Sequence, residues 1–169
     1  LSMETELERL SAAVGAALSA RKLRLACAES CTGGLVAAAV TATAGSSAWF
    51  ERGFVTYSNA AKQEMLGVPA ALLERQGAVS EATVRAMAAG AIARAHAQVA
   101  IAISGIAGPA GATIDKPVGT VCFAWRLPDD TISVETRHFP GNRGAVRQQA
   151  AIHALNGLLT RLESRGTVP

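Results

Sequence analysis

The chain has 169 residues, the size of one domain with one core, and half of them are hydrophobic while only 4% are aromatic. A core of Ala, Val, Leu and Ile is therefore expected, with helices packed close to a sheet. The formal charge of +3 suits an anionic small-molecule ligand, but with acidic residues interspersed and no basic runs it is not the footprint of a nucleic-acid binder.

Three cysteines, Cys27, Cys31 and Cys122, cannot all pair within one chain, which fits a reducing cytosol. No charged leader with an apolar h-region opens the sequence, and no apolar stretch is long enough to cross a bilayer, so a cytoplasmic protein without membrane association is expected. Leu1 and Ser2 ahead of Met3 resemble an expression scar. A single domain is accordingly expected over residues 4–162, with 163–169 as a tail.

From Glu4 to Ala20, Leu7, Leu10, Val14 and Leu18 recur at helical spacing and define one buried stripe. Leu23 to Ala28 reads as a strand, Gly33-Gly34 as a sharp turn, and Leu35 to Ala42 as a helix. After the break at Gly45, the stretch from Trp49 to Ser58 is rich in strand-favouring side chains, and Lys62 follows it on a short helix ending at Gly67. A second short helix follows Pro69, and Ser80 caps a longer one reaching about Ala97. Val99 to Ile103 is a continuous apolar run, the pattern of a strand buried on both faces, and it stops at the loop Ser104-Gly-Ile-Ala-Gly-Pro109. Val118 to Leu127 and Thr131 to Phe139 flank Pro128-Asp129-Asp130 as an antiparallel hairpin, and Asn142 caps a closing helix through Leu162. The order predicts an α/β fold: a three-layer α/β/α sandwich around a mixed, mostly parallel sheet with a C-terminal antiparallel hairpin.

Ser30 stands at the exit of a strand, before two glycines and a helix, where a hydroxyl and nearby backbone N–H groups can face one carbonyl. The helix N-terminus would add positive potential at that point. The same pattern also serves as an ordinary Ser N-cap with glycines for close packing. His96, His138 and His153 are read as structural or exposed. Lys62, beside a Gly/Ser/Tyr-rich strand end, is either a base, once burial lowers its pKa, or an ordinary solvated lysine of a helix. Tyr57, the only tyrosine, could hydrogen-bond that lysine or relay a proton, or sit in the core. Glu29 either orients a substrate amide or braces the turn. Cys31 is a competing nucleophile, because a thiol near a helix N-terminus can have a depressed pKa. With Cys27 it could also form half of a metal site, but no His/Cys cluster of zinc spacing completes one. Arg143 and Arg147, four apart at the start of the last helix, share a face suited to a phosphate or to solvent. The glycine loop at 104–109 lies where ligands bind in open α/β sheets, beyond strand carboxyl ends.

Ala28-Glu-Ser-Cys-Thr-Gly-Gly34, Gly53-Phe-Val-Thr-Tyr-Ser-Asn59 with Lys62, Gly77-Ala-Val-Ser-Glu81, Ser104-Gly-Ile-Ala-Gly-Pro109 and Lys116-Pro-Val-Gly-Thr120 together resemble the CinA C-terminal domain family. The resemblance spans the first helix to Leu159 and includes Phe139-Pro-Gly-Asn-Arg143 with Arg147. Its stand-alone members are nicotinamide mononucleotide deamidases, and the chain length matches that form. The resemblance implies hydrolysis of the mononucleotide's carboxamide to nicotinate mononucleotide and ammonia, with no metal or organic cofactor, by a homo-oligomer. It assigns Ser30 as nucleophile, Lys62 as base and Tyr57 as a supporting group, with Gly33, Gly34, Ser104, Gly105, Arg143 and Arg147 around the nucleotide. Ser104 stands where many members have threonine, and Asn142 where an acidic residue is common; hydroxyl and helix cap are both retained. A non-catalytic nucleotide-binding or protein-interaction module is the alternative, since the family is associated with competence and DNA damage.

Overall fold

The computed structural model describes residues 2–165. In chain order the elements are α1 (Met3–Ala20), β1 (Leu25–Glu29), α2 (Leu35–Thr41), β2 (Phe50–Val55), α3 (Asn59–Leu66), α4 (Ala70–Gln76), α5 (Glu81–Arg94), β3 (Val99–Gly105), β4 (Thr120–Arg126), β5 (Ile132–His138) and α6 (Arg143–Ser164), with one 3-10 turn at Ser46–Ala48. The strands form one sheet in the order β2-β1-β3-β4-β5. β1 pairs parallel with both β2 and β3, whereas β4 runs antiparallel to β3 and β5, so four of the five strands point one way.

Strand alternation sorts side chains by size. Cys27, Ile101, Ile103, Phe123 and Trp125 face α1, α2 and α6, and share one core with Leu10, Val14, Leu18, Leu155 and Leu158. On the other face the same strands present Ala28, Ala100, Ala102, Cys122 and Ala124 to Met87, Val84 and Leu66. These small side chains let α5 lie close to the sheet, and α3 and α4 cover α5 in turn. The expected sandwich is therefore present, with the bulky residues concentrated on one side.

Several boundaries differ from the sequence reading, most by one or two residues. β2 stops at Val55, level with the end of its partner β1, and Ser58 instead caps α3 by accepting from the Ala61 N–H. α5 ends at Arg94 because the chain must turn extended at Ala95 to enter β3, where the Gln98 and Val99 N–H groups meet the Arg24 carbonyl. Ser2, set aside as a scar, caps α1 through its side chain, and α6 continues to Ser164. Residue 1 and residues 166–169 lie outside the described residues.

The approach of α5 to α3 is set at Gly90, where an added Cβ would stand 2.0 Å from the Leu66 carbonyl oxygen. Backbone cannot rotate away as a side chain can, so Gly90→Ala should cost about 2 kcal/mol or more, read as a lower urea midpoint at unchanged slope.

Candidate active site

The sheet reverses its winding at β1: the connection to β2 passes over one face through α2, and the return to β3 passes over the other through α3, α4 and α5. Ligand crevices in open sheets form at such a switch, beyond the carboxyl ends of the strands. Here the ladder continues one residue past the strands, with the Ser30 N–H on the Ile103 carbonyl (3.0 Å) and the Thr56 N–H on the Glu29 carbonyl (2.8 Å). Three chain segments are thus held side by side where they leave the sheet. A cleft of about 240 Å³ opens there, lined by Ser30, Cys31, Tyr57, Lys62, Ser104, Gly105 and Arg143 among others.

Lys62 enters the cleft from the first turn of α3. Helical side chains lean toward the N-terminus, which carries its amine back over the end of β2. The side chain is fully buried, and its Nζ lies 3.1 Å from Ser30 Oγ, 2.9 Å from the Thr56 carbonyl and 3.2 Å from the Tyr57 carbonyl. An ammonium would donate to all three. A neutral amine has two N–H bonds for the two carbonyls and one lone pair left for the Ser30 hydroxyl, which matches the acceptors present. Burial pushes the lysine below its ordinary value of 10.5, a trend that the nearby Cys31 thiol partly opposes. Serine and lysine, 32 residues apart, therefore form a contact suited to proton transfer from hydroxyl to amine.

The turn after Ser30 is braced from two sides. Glu29, also buried, accepts from Thr32 Oγ1 (2.6 Å), the Val36 N–H (3.0 Å) and the Ala37 N–H (3.0 Å). It caps α2 from the preceding strand, because Gly34 at the N-cap position has no side chain to do so. The Val36 and Ala37 donors at the start of α2 are thus spent on Glu29, which settles the role left open for that carboxylate in favour of bracing the turn. Gly33 and Gly34 adopt φ of 59° and 102°, left-handed values that side chains disfavour. Both shape the turn and neither lines the cleft, whereas Gly105 does. A Cβ on Gly105 would meet Cys31 Sγ at 3.0 Å and Val121 at 2.7 Å, so glycine allows β3 to approach the nucleophile turn.

The paired arginines separate. Arg143 lines the cleft, donating to the Gly108 carbonyl (2.8 Å) and to the Tyr57 hydroxyl (3.0 Å). Arg147 lies outside it, with its guanidinium on the Cys31 and Thr32 carbonyls (3.0 and 3.1 Å). Helical geometry put both on one face, but the loop 31–33 rises against the second. Tyr57 is 61% exposed and its phenol meets Arg143, so it is the Tyr57 backbone carbonyl that touches Lys62. Ser104 is buried, and among the described residues its Oγ has no hydrogen-bond partner although it borders the cleft. A buried hydroxyl left unpaired is costly, so this one is available to a bound polar group.

The three histidines lie elsewhere. His153 pairs with Glu135, the His96 backbone N–H meets Glu51, and His138 is exposed at the end of β5. Among the described residues no group of three His, Cys, Asp or Glu side chains is arranged to hold a metal ion. Ala78 and Val79 also line the cleft, and the sequence reading gave them no role. They belong to the Gly77–Glu81 block, but two small apolar side chains carry no chemical signature.

The architecture and the strand-end cleft define the class: the chain belongs to the CinA C-terminal domain family, whose model matches residues 7–162. It is 54% identical over 156 residues to the nicotinamide-nucleotide amidohydrolase PncC of Enterobacter agglomerans, covering 92% of this chain and 95% of that one. The PncC of Escherichia coli strain K12 is 53% identical over 92% of this chain and 94% of its own. A CinA-like protein of Akkermansia muciniphila is 50% identical over 89% of this chain but only 36% of its own length. Among solved structures, a CinA superfamily protein from Klebsiella pneumoniae superposes with a TM-score of 0.90 at 43% identity, over 94% of this chain and 98% of that one. Among the described residues, no helix is long and apolar enough to cross a membrane.

Cys31 does not behave as a helix N-terminus would dictate. Burial pushes its thiol up to about 12; its own backbone N–H opposes the rise, Glu29 adds to it, and Arg147 and Lys62 oppose it more weakly. At pH 8 only a fraction on the order of 10⁻⁴ is then thiolate. Iodoacetamide at pH 8 should leave Cys31 unmodified in peptide mass spectra while a free thiol of ordinary pKa is fully labelled.

Proposed function

We propose that this protein hydrolyses the carboxamide of nicotinamide mononucleotide to nicotinate mononucleotide and ammonia, with Ser30 as nucleophile and Lys62 as general base. The observation that carries the mechanism is the 3.1 Å contact between Ser30 Oγ and a buried Lys62 amine whose other neighbours are two carbonyls. The substrate class rests on the amidohydrolases named above, which match this chain along nearly their whole length.

Neutral Lys62 takes the Ser30 proton as the oxygen attacks the carboxamide carbon, and donors of the turn hold the oxyanion. Collapse breaks the C–N bond, Lys62 returns the proton to the leaving amine, and ammonia departs from a nicotinoyl ester. Water, deprotonated by the same lysine, then frees the nicotinate and regenerates Ser30. Arg143 at the rim and the unpaired Ser104 hydroxyl supply contacts to the nucleotide's phosphate or ribose, binding energy remote from the reacting carbon. Free nicotinamide, lacking those groups, should be a poor substrate.

Ammonia release from the mononucleotide tests this. Ser30→Ala should lower kcat by a factor on the order of 10³ or more with little change in stability. Arg143→Gln should raise KM by about tenfold, the worth of one charge-assisted contact. Wild type that releases no ammonia, or Ser30→Ala at full rate, would overturn the reading in favour of a binding module.

The base works only when deprotonated, so kcat/KM should rise with pH as Lys62 loses its proton. Because burial lowers its pKa, the midpoint of that rise should lie below 10.5. Lys62→Arg, which stays charged across that range, should abolish the rising limb along with turnover.

A further inference from the structure

Arg147 stands outside the cleft, yet it is joined to it through a short series of peptide planes. A trans peptide is planar, with its C=O and N–H pointing in opposite directions, so holding one end fixes where the other points. Arg147 Nη2 holds the Thr32 carbonyl at 3.1 Å. That plane aims the Gly33 N–H the other way, onto the Ser30 carbonyl at 3.0 Å. Fixing the Ser30 carbonyl in turn sets the Cys31 N–H, which belongs to the residue that follows the nucleophile and lines the cleft. Among the described residues this N–H has no main-chain acceptor, and the one group that it meets is the sulfur of its own side chain, which a bound oxyanion would replace. Arg147 Nε secures the next plane through the Cys31 carbonyl at 3.0 Å.

We infer that Arg147 is a positioning residue for catalysis: it orients the Cys31 N–H as an oxyanion donor beside Ser30, and takes no part in holding the nucleotide. The inference rests on the proposed amidase reaction and specifies which donor of the turn that reaction uses. Two features of the turn serve the same end. Gly33 leaves room for the guanidinium, since a Cβ there would come within 3.3 Å of Arg147 Nη2. Glu29 anchors the far side of the turn at α2, so the arginine pulls against a fixed support. A lysine reaches one carbonyl at a time, whereas the guanidinium fork spans two consecutive ones.

A role in positioning predicts a split that a role in binding does not. Arg147→Gln should lower kcat by about 100-fold, the scale for losing one oxyanion donor, while KM and the Kd of nicotinate mononucleotide measured by calorimetry stay within about twofold of wild type. Arg143→Gln should show the reverse, with affinity lost and kcat largely kept. Arg147→Lys should fall with Arg147→Gln in kcat, and added methylguanidine should restore part of the rate to Arg147→Ala. If Arg147→Gln fails to fold, the lysine variant carries the same comparison, its melting temperature reporting whether the turn remains intact. A variant at Arg147 that keeps wild-type kcat, or that loses product affinity as Arg143→Gln does, overturns the inference. Wild type without ammonia release would instead overturn the amidase reading on which the inference rests.

Discussion

An amine buried at the end of a sheet has few ways to be accommodated, and most of this site follows from the one used here. Lys62 is shut away from water with two main-chain carbonyls and a serine hydroxyl as its neighbours. A charge in that position loses hydration that two carbonyl dipoles replace incompletely, so the neutral form is favoured. For the carbonyls to converge, the chain must leave β2 at Val55 and bend into α3 at Ser58. For the hydroxyl to converge, β1 must end level with β2. The ladder bonds just beyond the strands meet both requirements at once.

The same constraint accounts for the spending of polar groups around the nucleophile. A sharp turn after Ser30 exposes carbonyls on one side and helix-start donors on the other, and each needs a partner in a region closed to water. Glu29 supplies the acceptors and Arg147 the donors, one from the preceding strand and the other from the last helix. The turn is therefore held by groups more than 100 residues apart in sequence, and its rigidity depends on the packing of α6 over β3 and β4.

Much of the fold was legible in the chain because local physics specified it. The stripe in α1, the apolar run of β3, the caps at Ser80 and Asn142 and the hairpin around Asp129 are short-range patterns, and all formed close to their expected bounds. Errors arose where a neighbouring strand decided the outcome: β2 was shortened by the length of β1, and α5 by the need to enter β3. The Ser30 turn and the lysine helix were also visible, since glycine pairs and strand-to-helix junctions leave local traces.

Partnership was not legible, and for a physical reason. Residue spacing on a helix put Arg143 and Arg147 on one face, but it cannot show that a loop more than 100 residues earlier rises to meet only the second. Nor could alternation along β1 say whether Glu29 faces a substrate or caps a helix. The sequence leaves the Cys31 thiol open as a second nucleophile, and only its burial, which outweighs proximity to a helix start, decides against it. Sequence by itself determined which elements form and which side chains stand at strand ends, since both depend on neighbours a few residues away. Tertiary structure alone decided which of those side chains meet, because contact, burial and charge at one point are set by segments the chain brings together from afar.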